Sequence, residues 1–149
     1  MDLRNTKIKA VANFQHNNMN TLFGNKSRNN RKQAYNTLKN KDCIVWLPKQ
    51  SRKEFWQECN KYAFVISPFG NGIDCHRTWE ALVLGRIPIV FKHEINTIFE
   101  NLPVVVVDNW NKISKKFLKN EFDKIIKNWD TYDFEKLTLN YWAKKINQI

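Results

Sequence analysis

Five short apolar runs punctuate the chain, at residues 8–14 (IKAVANF), 43–47 (CIVWL), 63–67 (AFVIS), 87–91 (IPIVF) and 104–107 (VVVV). They are rich in β-branched residues and largely continuous in apolar character, as expected of strands buried on both faces. Segments of helical spacing lie between them, at about 28–39, 51–62, 74–84 and 94–101. Strands separated by helices of this length form βαβ units and a parallel sheet. The pattern predicts a Rossmann-like α/β domain: a parallel sheet of about five strands with helices on both faces. Two further helices are expected after the last strand. The first, about 114–128, has Phe117, Leu118, Phe122, Ile125 and Ile126 on one side, and the second, about 132–146, has Phe134, Leu137, Tyr141 and Trp142. Their lysines fall mainly on the opposite side, which reads as a solvated face. The polar, Asn-rich stretch 15–27 (QHNNMNTLFGNKS) is the expected mobile loop.

Composition limits what this domain can be. A chain of 149 residues suits one domain, and no internal repeat or linker divides it. The net charge of +11 suggests an anionic partner, but it is unevenly placed. Thirteen basic and four acidic residues precede Ala63, against twelve and ten from there on. With 20 Asn and 19 Lys the chain carries the bias of AT-rich coding, so part of the charge is expected to be spread over solvated faces. Cys43, Cys59 and Cys75 form no CxxC pair, and His16, His76 and His93 add no close ligand spacing. Free thiols in a reducing compartment and no metal site are therefore expected. The first ten residues hold no apolar core of signal-peptide length, and no apolar run reaches 18 residues. The expected location is cytoplasmic.

The densest chemistry lies in residues 67–90, SPFGNGIDCHRTWEALVLGRIPIV. Pro68 cannot donate to a sheet and ends strand pairing. Gly70 and Gly72 allow a tight turn with exposed amides, Asp74 is placed to cap the next helix, and Gly85 to stop it. A glycine turn and a helix N-terminus would then stand at the carboxyl end of a parallel strand, where open α/β sheets bind ligands and where helix amides favour phosphate. Arg77 in the first helical turn could add a bidentate contact to a diphosphate. Glu80, three residues after Arg77 and four after His76, could accept two hydroxyl hydrogen bonds from a ribose. The competing reading makes Arg77 and Glu80 an ordinary helix-surface pair, His76 its polar neighbour, and Trp79, Ala81 and Leu82 packing residues.

The segment KYAFVISPFGNGIDCHRTWEALVLGRIPIV resembles the donor-nucleotide segment of exostosin-like glycosyltransferases and, more broadly, the C-terminal half of GT-B enzymes. The resemblance rests on the glycine turn, HR, WEAL and GRIPIV in that order. More loosely, the strand ANF, a helix bearing Arg28 and Arg31, and SRKEFW fit the same layout over about residues 8–110. It implies sugar transfer from a nucleotide-sugar donor to a glycan or protein acceptor, without a cofactor or a required metal. The implied nucleotide-sugar-binding set is Gly70, Asn71, Gly72, Asp74, His76, Arg77 and Glu80. Arg77 doubles as the catalytic group that stabilises the leaving diphosphate. Lys92, His93 and Glu94 would lie on the same rim. Two departures stand out. Gly72 occupies the position, eight residues before Glu80, where many retaining enzymes carry a carboxylate, and only the donor half of a two-domain enzyme is recognisable. The resemblance thus leaves three expectations: a fragment, a domain that works with a second polypeptide carrying the acceptor half, or a remnant that binds without catalysing.

A different class of function would use the basic N-terminal part, with Arg28, Arg31, Lys32, Lys49, Arg52 and Lys53 as a nucleic-acid or protein contact surface. No dedicated nucleic-acid motif accompanies them. A dinucleotide-binding domain is the weakest alternative, because no GxGxxG follows the first strand.

Overall fold

A computed structural model describes residues 2–15, 25–70 and 72–148. Its centre is the expected sheet: β1 (Lys7–Ala12), β2 (Ile44–Trp46), β3 (Tyr62–Ile66), β4 (Ile87–Phe91) and β5 (Val105–Val107), all parallel, in the order β2-β1-β3-β4-β5. The strands adjoin in register at Val11 opposite Val45 and Val65, and at Ile89 opposite Ile66 and Val105. Continuous apolar sequence is explained by two covered faces. On one, α1 (Asn25–Leu38) and α4 (Lys115–Lys127) bring Ala34, Leu38, Leu118, Phe122 and Ile125 onto Ala10, Ala12, Phe64 and Ile89. On the other, α2 (Arg52–Cys59) and α3 (His76–Val83) bring Phe55, Cys59 and Ala81 onto Val11 and Val65.

Local chemistry sets the helix ends. Ser51 and Glu54 form a reciprocal capping box at the start of α2, Glu54 accepting from the Ser51 amide and hydroxyl at 2.8 Å. Gly85 follows α3 with φ +68°, a left-handed conformation that glycine adopts without strain. Two helical expectations are corrected. The region 94–101 forms a 3₁₀ helix, Glu94–Phe99, because His93 Nδ1 accepts from the Ile95 amide while Asn96 accepts from the His93 amide, tightening the first turn. The second C-terminal helix is shorter than expected. Two 3₁₀ turns, Trp129–Thr131 and Phe134–Leu137, precede α5 (Leu139–Ile146). Asp133 caps the Glu135 amide and Thr138 the Tyr141 amide, so side chains repeatedly take backbone donors that a continuous helix would use. This C-terminal strap lies against α3, with the Trp79 ring tilted against Phe99 and edge-on to Trp142 at ring distances of 5.3 and 6.2 Å. Helix α1 begins at Asn25, inside the expected loop, the rest of which lies mainly outside the described residues.

Candidate functional site

The sheet order reverses between β1 and β3: from β1 the chain passes through α1 to one edge, and from β3 through α3 toward the other. Such a switch point opens a crevice beyond the strand carboxyl ends. The segment after β3 runs into it. Ser67, at the end of β3, shares a buried 2.9 Å hydroxyl hydrogen bond with Thr78 of α3, fixing the start of that helix to the strand. Cys75 is the residue before α3, and no side chain caps the first amides of the helix.

Helix α1 reaches the same point from the other face. Asn30 Oδ1 accepts from the Phe69 amide at 3.2 Å, and Arg31 Nε donates to the Phe69 carbonyl at 2.6 Å. Both side chains are buried, at 4 % and 8 % exposure, where a polar group is costly unless bonded. Together they hold Phe69 by its amide and its carbonyl, and so fix the turn before Gly70. Arg31 also donates to the Gln15 carbonyl at 3.4 Å. Arg77 enters from α3, with Nη1 3.6 Å from Cys75 Sγ. A Cβ added at Gly70 would stand 3.4 Å from that sulfur and 3.6 Å from Arg31 Nη2, so the missing side chain keeps open the space between the thiol and the guanidinium. Burial lowers the pKa of Arg31, and the charge of Arg77 pushes it the same way, while Cys75 opposes both. Two cations therefore converge on one glycine turn.

Glu80, one turn beyond Arg77, faces a cleft of about 220 Å³. The cleft is lined by Asn13 and Gln50 beyond β1 and β2, by Ser51, Arg52 and Phe55 of the α2 end, and by His76, Arg77 and Glu80 of α3. The Glu80 carboxylate is ion-paired with Arg52 Nε at 3.3 Å, and Arg77 turns instead to Cys75. The surface pair Arg77 to Glu80 weighed from sequence is not what forms. Arg52 is exposed and lies over the Trp56 ring, so its hold on Glu80 is of the solvent-screened kind, worth about 1 kcal/mol or less. The amide nitrogen of Gln50 is buried without a hydrogen-bond partner among the described residues. A larger groove, about 460 Å³, lies against α5 between Glu135 and Gln148, away from the strand ends and from every predicted site residue.

The predicted residues thus separate. Gly70, Arg77, His76 and Glu80 gather at the crevice, His76 exposed at the first position of α3. Asp74 does not cap α3: the helix starts two residues later, and both Asp74 oxygens accept from Trp79 Nε1 at 3.1 Å. Gly72 has ample room, since a Cβ there would meet only the Asp74 carbonyl at 3.8 Å. Asn71 and the side chain of Arg28 lie outside the described residues. On the rim, His93 packs its ring edge-on to Phe69 at 5.8 Å, with Lys92 and Glu94 exposed beside it. Of the proposed basic surface, Lys32, Lys49, Arg52 and Lys53 are exposed, whereas Arg31 is interior. Sequence reasoning did not assign Asn30, Arg31 or Gln50 to the site. The signal was present for α1: Asn30 stands four and eight residues before Ala34 and Leu38, on the buried stripe of the helix. Among the described residues no three His, Cys, Asp or Glu side chains are grouped to hold a metal ion, and no helix is long and apolar enough to cross a membrane. No protein-family model matches this chain, and no curated protein matches its sequence.

Proposed function

We propose that this domain binds a nucleotide-sugar and acts as the donor half of an exostosin-like glycosyltransferase of the GT-B kind. The observation that carries the reading is the placement of Arg77 and Glu80 on successive turns of α3, both lining one cleft at the reversal of the sheet order. In this reading the diphosphate lies against Gly70 and the uncapped start of α3, where helix amides and the Arg77 guanidinium take up the negative charge that develops as the sugar leaves. Glu80 accepts the ribose hydroxyls in exchange for Arg52, a weak and exposed pairing that a ligand can replace. His76 and the rim around His93 lie at the mouth, within reach of the sugar. The acceptor and any general base come from a second domain or polypeptide.

The test is the binding of uridine, guanosine and adenosine diphosphate sugars to three proteins: wild type, Arg77→Ala and Glu80→Ala. Each substitution is expected to weaken the preferred donor by about tenfold to a hundredfold, the worth of one charge-assisted contact, with little change in melting temperature. Unchanged affinity in both variants, or no binding by the wild type, refutes the donor-site assignment.

A further inference from the structure

We infer that Trp79 is a positioning residue: its indole N–H holds the Asp74 carboxylate away from Arg77 and from the start of α3, so that no acid of the protein itself neutralises that end of the cleft. For its consequence on ligand affinity the inference rests on the donor-site reading; the hold on Asp74 is a separate matter.

Arg77 has an acidic residue three positions away on either side, Asp74 before it and Glu80 after it. A carboxylate so placed ordinarily pairs with the guanidinium or caps the first amides of the helix. Neither happens. Among the described residues Arg77 makes no ion pair, and no side chain caps α3. Each acid is instead claimed by a donor from elsewhere: both Asp74 oxygens accept from Trp79 Nε1 at 3.1 Å, and Glu80 pairs with Arg52 Nε at 3.3 Å. The two holds differ in kind. Arg52 is exposed, and its pairing is screened by solvent. Trp79 is fixed by packing, its ring tilted against Phe99 and met edge-on by Trp142. The C-terminal strap thus bears on the cleft through one ring, because Trp142 braces the indole that holds Asp74. Released, Asp74 would pair with Arg77 or cap α3. Either places a negative charge where the donor-site reading puts the diphosphate, and so competes with it.

The experiment compares the wild type, Trp79→Phe and the double variant Trp79→Phe with Asp74→Ala, each as the full chain labelled with nitrogen-15. Phenylalanine keeps a ring between Phe99 and Trp142 and removes the N–H. Without ligand, the Arg77 Nε–Hε resonance and the His76 and Arg77 amides are expected to move in Trp79→Phe and to return toward the wild type in the double variant. A shift that came only from changing the ring would persist in the double variant. Affinity for the preferred nucleotide-sugar should fall by about fivefold to tenfold in Trp79→Phe and recover when Asp74 is also removed. A merely structural tryptophan gives no such rescue. If Trp79→Phe fails to fold, 3-benzothienylalanine at position 79 keeps the bicyclic shape, replaces only the N–H by sulfur, and is tested with and without Asp74→Ala. The inference is overturned if those resonances stay where they are in the single variant, or if the double variant restores neither them nor, in a protein that binds, the affinity. Should no nucleotide-sugar bind the wild type, the donor-site reading falls, while the ligand-free resonances still decide whether Trp79 holds Asp74 away.

Discussion

Among the described residues two arginines are buried, at opposite ends of the sheet, and their surroundings differ. Arg86 is fully buried just before β4, at the amino ends of the strands. Its Nε donates to the Leu84 carbonyl at 3.1 Å and its Nη1 to the Asn60 carbonyl at 3.5 Å, and those two residues are the C-caps of α3 and α2. A cation there meets the negative ends of two helices and satisfies carbonyls that the helices leave unpaired. Burial lowers its pKa, while Cys59 and Asp2 pull the other way. Arg31, at the carboxyl ends, also donates to two backbone carbonyls, those of Phe69 and Gln15, but these belong to loop segments rather than to helix ends, and the charge of Arg77 adds to burial in lowering its pKa. One buried cation is thus built into the scaffold's own electrostatics. The other holds the turn before Gly70, behind the cleft that Arg77 and Glu80 line.

That contrast can be broken from either end. Arg86→Met should give the largest stability effect, a loss of about 3 kcal/mol in urea unfolding, because two helix-end carbonyls lose a charged donor in the interior. The folded fraction should still bind the preferred nucleotide-sugar as the wild type does, and a comparable loss of affinity would show that the two ends are not independent. Next, Gly85→Ala should cost about 1–2 kcal/mol. Nothing lies within 4 Å of the added carbon, so the penalty comes from the left-handed backbone alone and should leave binding untouched.

The smallest effect is expected at the site end. Ser51→Ala removes the cap of α2 and should cost about 1 kcal/mol near neutral pH. The Glu54 carboxyl, held below its usual range first by the Ser51 hydroxyl and then by the Ser51 backbone, gives this effect a pH signature. A carboxyl with a depressed folded pKa contributes stability above its unfolded value and loses it as pH falls through the folded value. The difference between wild type and Ser51→Ala in thermal melts should therefore narrow as the pH is taken below 4.5, the ordinary value for this carboxyl.

The sheet was legible from sequence because its signal is dense. A run such as 87–91 is apolar at every position, and β4 coincides with it; β5 begins one residue later than its run. The two-residue offset at the start of α3 has a different cause. Asp74 is a good capping residue, but the indole nitrogen of Trp79 claims its carboxylate, a contact between side chains that spacing rules do not weigh. The C-terminal strap was misjudged for a related reason: Phe134, Leu137, Tyr141 and Trp142 fit helical periodicity, yet Phe134 and Leu137 lie in a separate 3₁₀ turn, where Phe134 packs ring against ring with Trp129 and Tyr132. Within the site, Arg77 and Glu80 could be read off one helix because their spacing fixes their common side. Arg31 could not, since it reaches the turn before Gly70 only through the packing of α1 on the sheet, and in sequence it is one of thirteen basic residues before Ala63. Tertiary packing on the other face likewise gave Glu80 its partner: Arg52 comes from α2, 28 positions away, rather than from the helix neighbour Arg77.

The central claim, that the crevice between β1 and β3 is a donor site, is tested most directly by amide NMR of the purified chain. Uridine, guanosine and adenosine diphosphates and their sugars would be titrated without metal. The account predicts saturable shifts that centre on Gly70 and on Cys75 through Glu80, extend to Asn30 and Arg31, and favour one base. Shifts scattered over the exposed lysines and lost with added salt, or no shifts at millimolar nucleotide, would contradict it.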